Sequence, residues 1–270
     1  MIKYVKTIRT FQIEDRCHIF DSYCVTNDKQ IHHFTRYKSL ANSWAEGSKI
    51  YHNVDIYLGE GEDPRPFVLR NHFGLHAVTY MGGYGWLNSI YLSERNQWYA
   101  VWLPQDMRQG KNWSPFVVNN QLFFIHEFSP FRIITVGFDA TRSAFVKASV
   151  VAERPLLVAK SGSDNYSILR GGSNGIQLRD GSVVGFGHTN FVDSIGFINH
   201  RPFIWKIDAS MTIGISEIPS DVLDVKYRLV DPTSLFEFDN QYWLVTCEAE
   251  KHWGLEGPNR GRICLYRVSL

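Results

Sequence analysis

The chain has 270 residues, enough for one large domain or two small ones with a buried core. Hydrophobic residues make up 44% and charged residues 20%, which excludes a disordered chain. The formal net charge of +1 leaves no basic excess for nucleic acid and no polybasic patch for a membrane surface.

The run Met1 to Lys6 lacks the apolar core of a signal peptide, and no run is long enough to span a bilayer. Cys17, Cys24, Cys247 and Cys264 form no C-x-x-C pair, so neither zinc nor thioredoxin-like chemistry is expected of them. They read as reduced, mostly buried thiols of a cytoplasmic protein. Aromatics reach 14%, which fits either packing between β-sheets or stacking surfaces for a flat ligand such as a sugar ring.

Few stretches carry helical periodicity. Short apolar runs alternate with Asn, Asp and Gly turns, the pattern of an all-β fold. In chain order, one unit recurs: a short strand, a polar turn, then a more apolar strand. The first copy is Phe11 to Ile13, turn Glu14 to Arg16, then Cys17 to Val25. The second is Pro66 to Leu69, turn Arg70 to Phe73, then Gly74 to Met81. The third is Phe116 to Val118, turn Asn119-Asn120, then Gln121 to Phe128. The fourth is Gly175 to Leu178, turn Arg179 to Gly181, then Ser182 to His188. The fifth is Ser234 to Phe238, turn Asp239-Asn240, then Gln241 to Glu248.

The equivalent positions Arg16, Gly74, Gln121, Gly181 and Gln241 are 58, 47, 60 and 60 residues apart. Such a period suits a four-stranded propeller blade, and five copies fill the chain. The expectation is a single domain over 1–270, a five-bladed β-propeller. The competing fold is a two-sheet sandwich. Ile2 to Arg9 is expected to pair into the last blade and close the ring, because an open ring leaves strand edges unpaired.

The lead-ins to the inner strands are polar: Gly61 to Arg65, Lys111 to Trp113, Arg170 to Asn174, and Val230 to Thr233. Convergent polar groups in one concavity describe a binding site. Asp63, Glu127, Asp231 and Glu248 are the carboxylates available for glycoside chemistry, which usually needs two across the scissile bond. Glu127 and Glu248 each end an apolar strand, and both also fit as strand-end carboxylates paired with Arg or Lys. Asp63 and Asp231 precede proline, where Asp often caps a turn. Gly171-Gly172-Ser173-Asn174-Gly175 is not a Walker loop, since no Gly-Lys-Ser/Thr follows; its backbone N–H groups remain candidates for an anion. His32-His33 has no spaced partners, so no metal site is expected there. The absence of D-x-D argues against the usual metal-dependent nucleotide-sugar site. The segment Glu248 to Trp253 fits either a pocket wall or an exposed loop.

The order of Glu62-Asp63-Pro64-Arg65, Lys111-Asn112-Trp113 and the hairpin Arg170 to Gly175 with Gly187-His188-Thr189 resembles the β-mannoside phosphorylases and their mannosyltransferase relatives, which are five-bladed propellers. The resemblance implies a sugar, sugar-phosphate or nucleotide-sugar ligand and no cofactor. It implies Arg65, Lys111, Arg170 and His188 as the groups that hold an anionic moiety. Asn112 and Asn174 would bond sugar hydroxyls, and Trp113 would stack on a ring. One departure stands out: the family's acid after the strand His76 to Tyr80 is absent, and Met81-Gly82-Gly83 follows instead. Either the acid has moved, to Glu127 or Asp231 for example, or the chain does not perform phosphorolysis in that way; glycosyl transfer by a glycosyltransferase or a phosphorylase-like enzyme, mannosyl among the candidate groups, is the leading expectation. A glycoside hydrolase or a non-catalytic carbohydrate-binding propeller are the alternatives.

Overall fold

The computed structural model describes residues 2–12, 17–39, 48–107, 109–138, 143–155, 168–218, 222–224, 226–251 and 260–270. The described residues are almost entirely strand and turn. β1 (Ile2–Gln12) opens the chain. β2 (Cys17–Val25), β3 (Ile31–Ser39), β4 (Ser48–His52) and the long β5 (Ile56–Leu69) follow as an antiparallel meander. The second half of β5 then begins another with β6 (His72–Tyr80), β7 (Trp86–Leu92) and β8 (Gln97–Trp102). A third contains β9 (Ser114–Val118), β10 (Gln121–Phe128), β11 (Phe131–Val136) and β12 (Phe145–Arg154). Next come β13 (Ile168–Gly171), β14 (Ile176–Gln177), β15 (Val183–Val192), β16 (Ile198–Ile207) and β17 (Ile213–Glu217). β18 (Leu229–Phe238), β19 (Gln241–Ala249) and β20 (Arg260–Val268) end the chain, and β1 adds to β20.

The hairpins form where the sequence dictates them. Arg70-Asn71, Asn119-Asn120 and Asp239-Asn240 all have positive φ, between 50° and 65°. Two such residues make the turn whose twist matches flanking strands, and among non-glycine residues Asn and Asp tolerate that backbone best. The expected pairing of the first strand with the last is present, from Ile2 opposite Val268 to Gln12 opposite Arg260.

The first repeat is out of phase with the expectation. Phe11 and Gln12 pair with β20, not with β2. β2 instead hairpins with β3 across residues 26–30, so β2 is the inner strand and β3 its partner. The reason lies in burial: Phe20 and Cys24 of β2 fill two different apolar clusters, which an outer strand could not reach. The expected turn Glu14 to Arg16 lies outside the described residues.

The core is divided rather than central. One apolar cluster joins β5–β8 to β9–β12 through Phe67, Ile90, Trp113 and Phe124. Another joins β10 and β11 to β16 through Phe123, Phe131 and Trp205. A third joins β15 to β18–β20, a fourth β2–β4 to β6 and β7, and a fifth β2 to β19 and β20. Each meander thus buries its face on its neighbour. Most aromatics serve this packing, although Tyr84 and Trp102 stay exposed beside Phe145.

Side-chain bonds tie the inner strands to one another. Ser22 on β2 donates to Pro64 O on β5 at 2.9 Å. Gly172 N, just after β13, donates to Ser114 Oγ on β9 at 3.1 Å. Asn174 clamps Leu235 of β18, accepting from its N–H at 2.8 Å and donating to its carbonyl at 2.7 Å. Tyr23 N on β2 donates to Ser234 Oγ on β18 at 2.9 Å.

Candidate functional site

The polar lead-ins meet at the N-terminal ends of these inner strands. Two Asp-Pro dipeptides build the centre, and each adjoins a β-bulge. In β5 the register slips between Glu62 and Arg65, so Asp63 and Pro64 bulge out of the ladder, with Asp63 at φ 54°. In β18 it slips between Pro232 and Ser234, next to Asp231. A bulge re-aims a side chain, and proline cannot donate to the ladder anyway. A positive φ at a non-glycine residue is strain held by its surroundings. Here the surroundings are ionic: Arg36 Nη1 on β3 lies 2.6 Å from Asp63 Oδ1.

Burial opposes charge on Asp63, but Arg36, Arg65 and Lys111 outweigh it and hold the carboxyl below the usual aspartate range. Asp231 is held in the same state by different partners. His200 Nδ1 lies 2.6 Å from Asp231 Oδ1, and His188 Nε2 lies 3.7 Å from it. Burial again opposes the charge, yet His200, His188 and Arg65 keep Asp231 well below its ordinary value. The two aspartates are near enough to sense each other's charge, and Arg65 senses both.

Arg65 lies at the centre of this space and is 1% exposed. Its Nη1 donates to Pro232 O and its Nη2 to Asn112 Oδ1 at 3.2 Å. Arg65 and Arg36 both lie over the Phe20 ring, at 4.9 and 5.3 Å from its centroid. The ring supplies a negative face beneath two cations that face each other's charge. Lys111 pairs with the buried Glu62 carboxylate. Lys111 is thus anchored at the rim, joining the lead-ins of β5 and β9. Burial pushes His188 down to about 3 despite Asp231, so it is a neutral imidazole at physiological pH.

Of the expected site residues, Asp63, Asp231, Arg65, Asn112, Lys111 and His188 come together. Arg170 is opposite His188 in the β13–β15 ladder and adds its charge to the same wall. Others lie elsewhere. Trp113 is fully buried, stacked on His76 at 4.9 Å and 7°, so it is a core residue and no platform for a sugar ring. Asn174 has both ends of its amide engaged by Leu235 and lies beside the far end of the inner strands. Glu127 pairs with Arg132 at 3.0 Å, in a cluster that also holds Glu153. Glu248 is 1% exposed and accepts from Thr246 at 2.8 Å, Arg262 at 2.7 Å and Tyr266 at 2.6 Å. Both are structural carboxylates here.

The glycine loop is no anion nest either. Gly172 N–H serves Ser114, Ser173 N–H serves Phe186 O, and Gly175 N–H serves Pro115 O. Its glycines answer a steric demand: a Cβ on Gly171 would lie 1.9 Å from Asn112 O. Within Glu248 to Trp253, residues 252 and 253 lie outside the described residues.

The sequence reading missed Arg36, Glu62, His200 and Phe20 as site residues. A signal existed for Arg36. The second strand of each meander carries one buried Arg, His or Glu side chain: Arg36, His76, His126, His188 and Glu248. With the first repeat phased one strand early, Arg36 had no place in that series. His200 sits on a third strand and reaches the site only through pairing of Asn190 with His200 and the short parallel contact of His200 with Leu229.

A cavity of about 760 Å³ opens at the other end of the inner strands. Its rim is formed by the hairpin turns, including Asn27, Asn71, Asn120 and Asn240. Those residues are explained by turn geometry, and none of the clustered charges lies there.

Solved structures similar to this chain were found at low sequence identity. MPT-4, a mannose phosphorylase from Leishmania mexicana solved with phosphate ion, matches with a TM-score of 0.56 and 12% identity over 93% of this chain and 84% of that one. MPT-1, a GDP-Man-dependent mannosyltransferase from the same organism, gives 0.54 and 11% over 98% and 89%. A GH43B protein of the Bacteroides ovatus xyloglucan locus gives 0.56 and 13% over 97% and 54%. No family model matches the chain, and no curated protein matches it significantly. These likenesses give a propeller-like fold shared with carbohydrate-active enzymes.

Proposed function

We propose that this chain is a carbohydrate-active enzyme that transfers a glycosyl residue from a donor with a phosphate-type leaving group. The observation that carries this reading is the pair Asp63 and Asp231. They come from two separate inner strands, face one space, and are both held ionised by fixed cationic or imidazole partners. A conventional two-carboxylate hydrolase needs one carboxyl kept protonated to release the leaving alcohol. Neither aspartate meets that need. A phosphate leaving group needs no such proton, because it departs as a stable anion.

In this reading Asp63 takes the proton from the acceptor hydroxyl, and Arg36 fixes its orientation. Arg65, Lys111 and the His188–His200 wall provide the preorganised field for the departing anion. Asn112, held by Arg65, bonds a sugar hydroxyl. The proposal includes a single five-bladed propeller over 1–270, with β1 closing the last blade. The bonds linking the inner strands and the apolar clusters between successive meanders support it. It also includes a cytoplasmic setting, where phosphorylated sugar donors are available.

The test is a panel of sugar 1-phosphates and nucleotide sugars, mannose forms included, with mono- and oligosaccharide acceptors. Product formation that Asp63→Asn abolishes is the expected result. Hydrolysis of unactivated glycosides without phosphate, dependent on Asp63 and Asp231, would replace transfer with the hydrolytic reading. Saturable sugar binding with no turnover would leave a binding propeller.

A further inference from the structure

The group His188, His200 and Asp231 offers one donor atom from each residue, and these atoms all lie within 4.8 Å of one another. We propose that His188, His200 and Asp231 form a binding site for a divalent transition-metal ion of the zinc type. The inference goes beyond the transfer reaction and does not rest on it.

Three features support it. The ligands come from three different strands: His188 on β15, His200 on β16 and Asp231 on β18. β15 and β16 are an extended antiparallel pair, and β16 touches β18 at His200–Leu229, so the backbone fixes all three Cα positions. The donor set is two imidazole nitrogens and one carboxylate oxygen. That set suits zinc or cobalt and not calcium or magnesium, which take oxygen. Finally, His188 is 2% exposed, and its Nε2 faces Asp231 Oδ1 at 3.7 Å, a nitrogen aimed at the carboxylate but beyond hydrogen-bond reach of it.

The geometry needs modest adjustment. Zinc–ligand bonds of about 2.0–2.2 Å put tetrahedral donors roughly 3.3 Å apart. The His188 Nε2 to Asp231 Oδ1 distance of 3.7 Å is near that value, and the His200 Nδ1 to Asp231 Oδ1 distance of 2.6 Å must widen. The proton shared between His200 and Asp231 leaves when the metal arrives. Arg65 and Arg170 oppose a dication here, and Asp63 offsets them. Arg65 is also held away by Pro232 O and Asn112. His200 and Asp231 are partly exposed, which leaves a fourth position for water or a ligand oxygen, as in catalytic zinc sites.

The experiment uses the full chain, freed of metal by chelation and titrated with Zn²⁺ against a chromophoric chelator, and in parallel with Co²⁺ by absorption. The expected result is one equivalent bound, with a tetrahedral cobalt spectrum free of thiolate charge transfer. Asp231→Asn and His200→Gln should each weaken binding by more than the roughly 10–100-fold typical of outer-shell partners. His32→Gln is the control, because His32 and His52 form a separate pair with nitrogens 3.1 Å apart. No zinc binding, or binding lost in His32→Gln and kept in the other two, overturns the proposal. Should a site variant fail to fold, the wild-type cobalt spectrum decides: a thiolate band or an octahedral spectrum overturns it. Because no substrate is present, failure here leaves the transfer reading untouched, and absence of transfer leaves the metal site untouched.

Discussion

Replacing Glu248 with glutamine separates a structural carboxylate from a catalytic one. The side chain is buried and accepts three hydrogen bonds, from Thr246 and Tyr266 on Oε1 and from Arg262 Nε on Oε2. Glutamine keeps the volume but loses the charge, and its NH₂ must face either Arg262 or the two hydroxyls. Breaking one side of a buried ion pair costs about 3–5 kcal/mol. Arg262 retains Asp224 at 3.3 Å and stacks over Tyr227 at 3.9 Å, so its charge is not stranded. The lower end applies, about 3 kcal/mol, which converts to a fall in Tm of roughly 6–12 °C in a domain of this size. Urea unfolding of the wild type and Glu248→Gln measures it, alongside turnover of whichever donor the panel identifies. A loss under about 1 kcal/mol together with a collapse of kcat would refute the structural assignment.

Asp63→Asn should lower kcat of the folded protein about 10²–10⁴-fold, read by steady-state kinetics with the identified donor; an unchanged kcat removes Asp63 as the base. Trp113→Ala should destabilise by about 3–5 kcal/mol because it empties a core site against His76 and Phe124. Sugar affinity of the folded fraction, measured by calorimetry, should not change. Lys111→Met should weaken binding of a sugar phosphate and also destabilise the chain, since it removes the rim cation from the buried Glu62; adding Glu62→Gln should recover stability and not binding. His76 is buried, and burial pushes it down to about 3. Its folded value lies below the unfolded one near 6.5, so the unfolded chain takes the proton first. Stability is whole above about pH 6.5 and falls by up to about 1.4 kcal/mol per pH unit toward pH 3 from this group alone. His76→Gln should flatten that slope in urea titrations between pH 7 and 5.

Much of the site was legible because its residues lead directly into strands that the sequence marks with turns. Asp63-Pro64-Arg65, Lys111-Asn112 and Asp231-Pro232 are polar stretches just before apolar runs, and the repeat aligned them. Arg36 and His200 were not legible, since they sit inside strands whose neighbours are chosen by pairing across long separations. Trp113 misled for the opposite reason. A tryptophan beside a lysine and an asparagine reads as a ligand contact, and only the adjoining sheet shows that it is filled with packing. The first repeat went wrong where two strand-like runs, before and after residues 13–16, were both eligible for the same hairpin. The preference was settled by the distant β20.

The sequence by itself determined the all-strand character, the two-residue turns at Asn119-Asn120 and Asp239-Asn240 and the polar lead-ins, because turn chemistry and alternation act over a few residues. Tertiary structure alone decided which carboxylates come together. Asp63 and Asp231 precede proline and Glu127 and Glu248 end apolar strands, and these local contexts leave their partners open. Asp63 lies in one β-bulge and Asp231 beside another, near enough to feel each other's charge, while Glu127 and Glu248 are spent on Arg132 and Arg262. The difference is electrostatic and through space, and residues far apart in the chain set it.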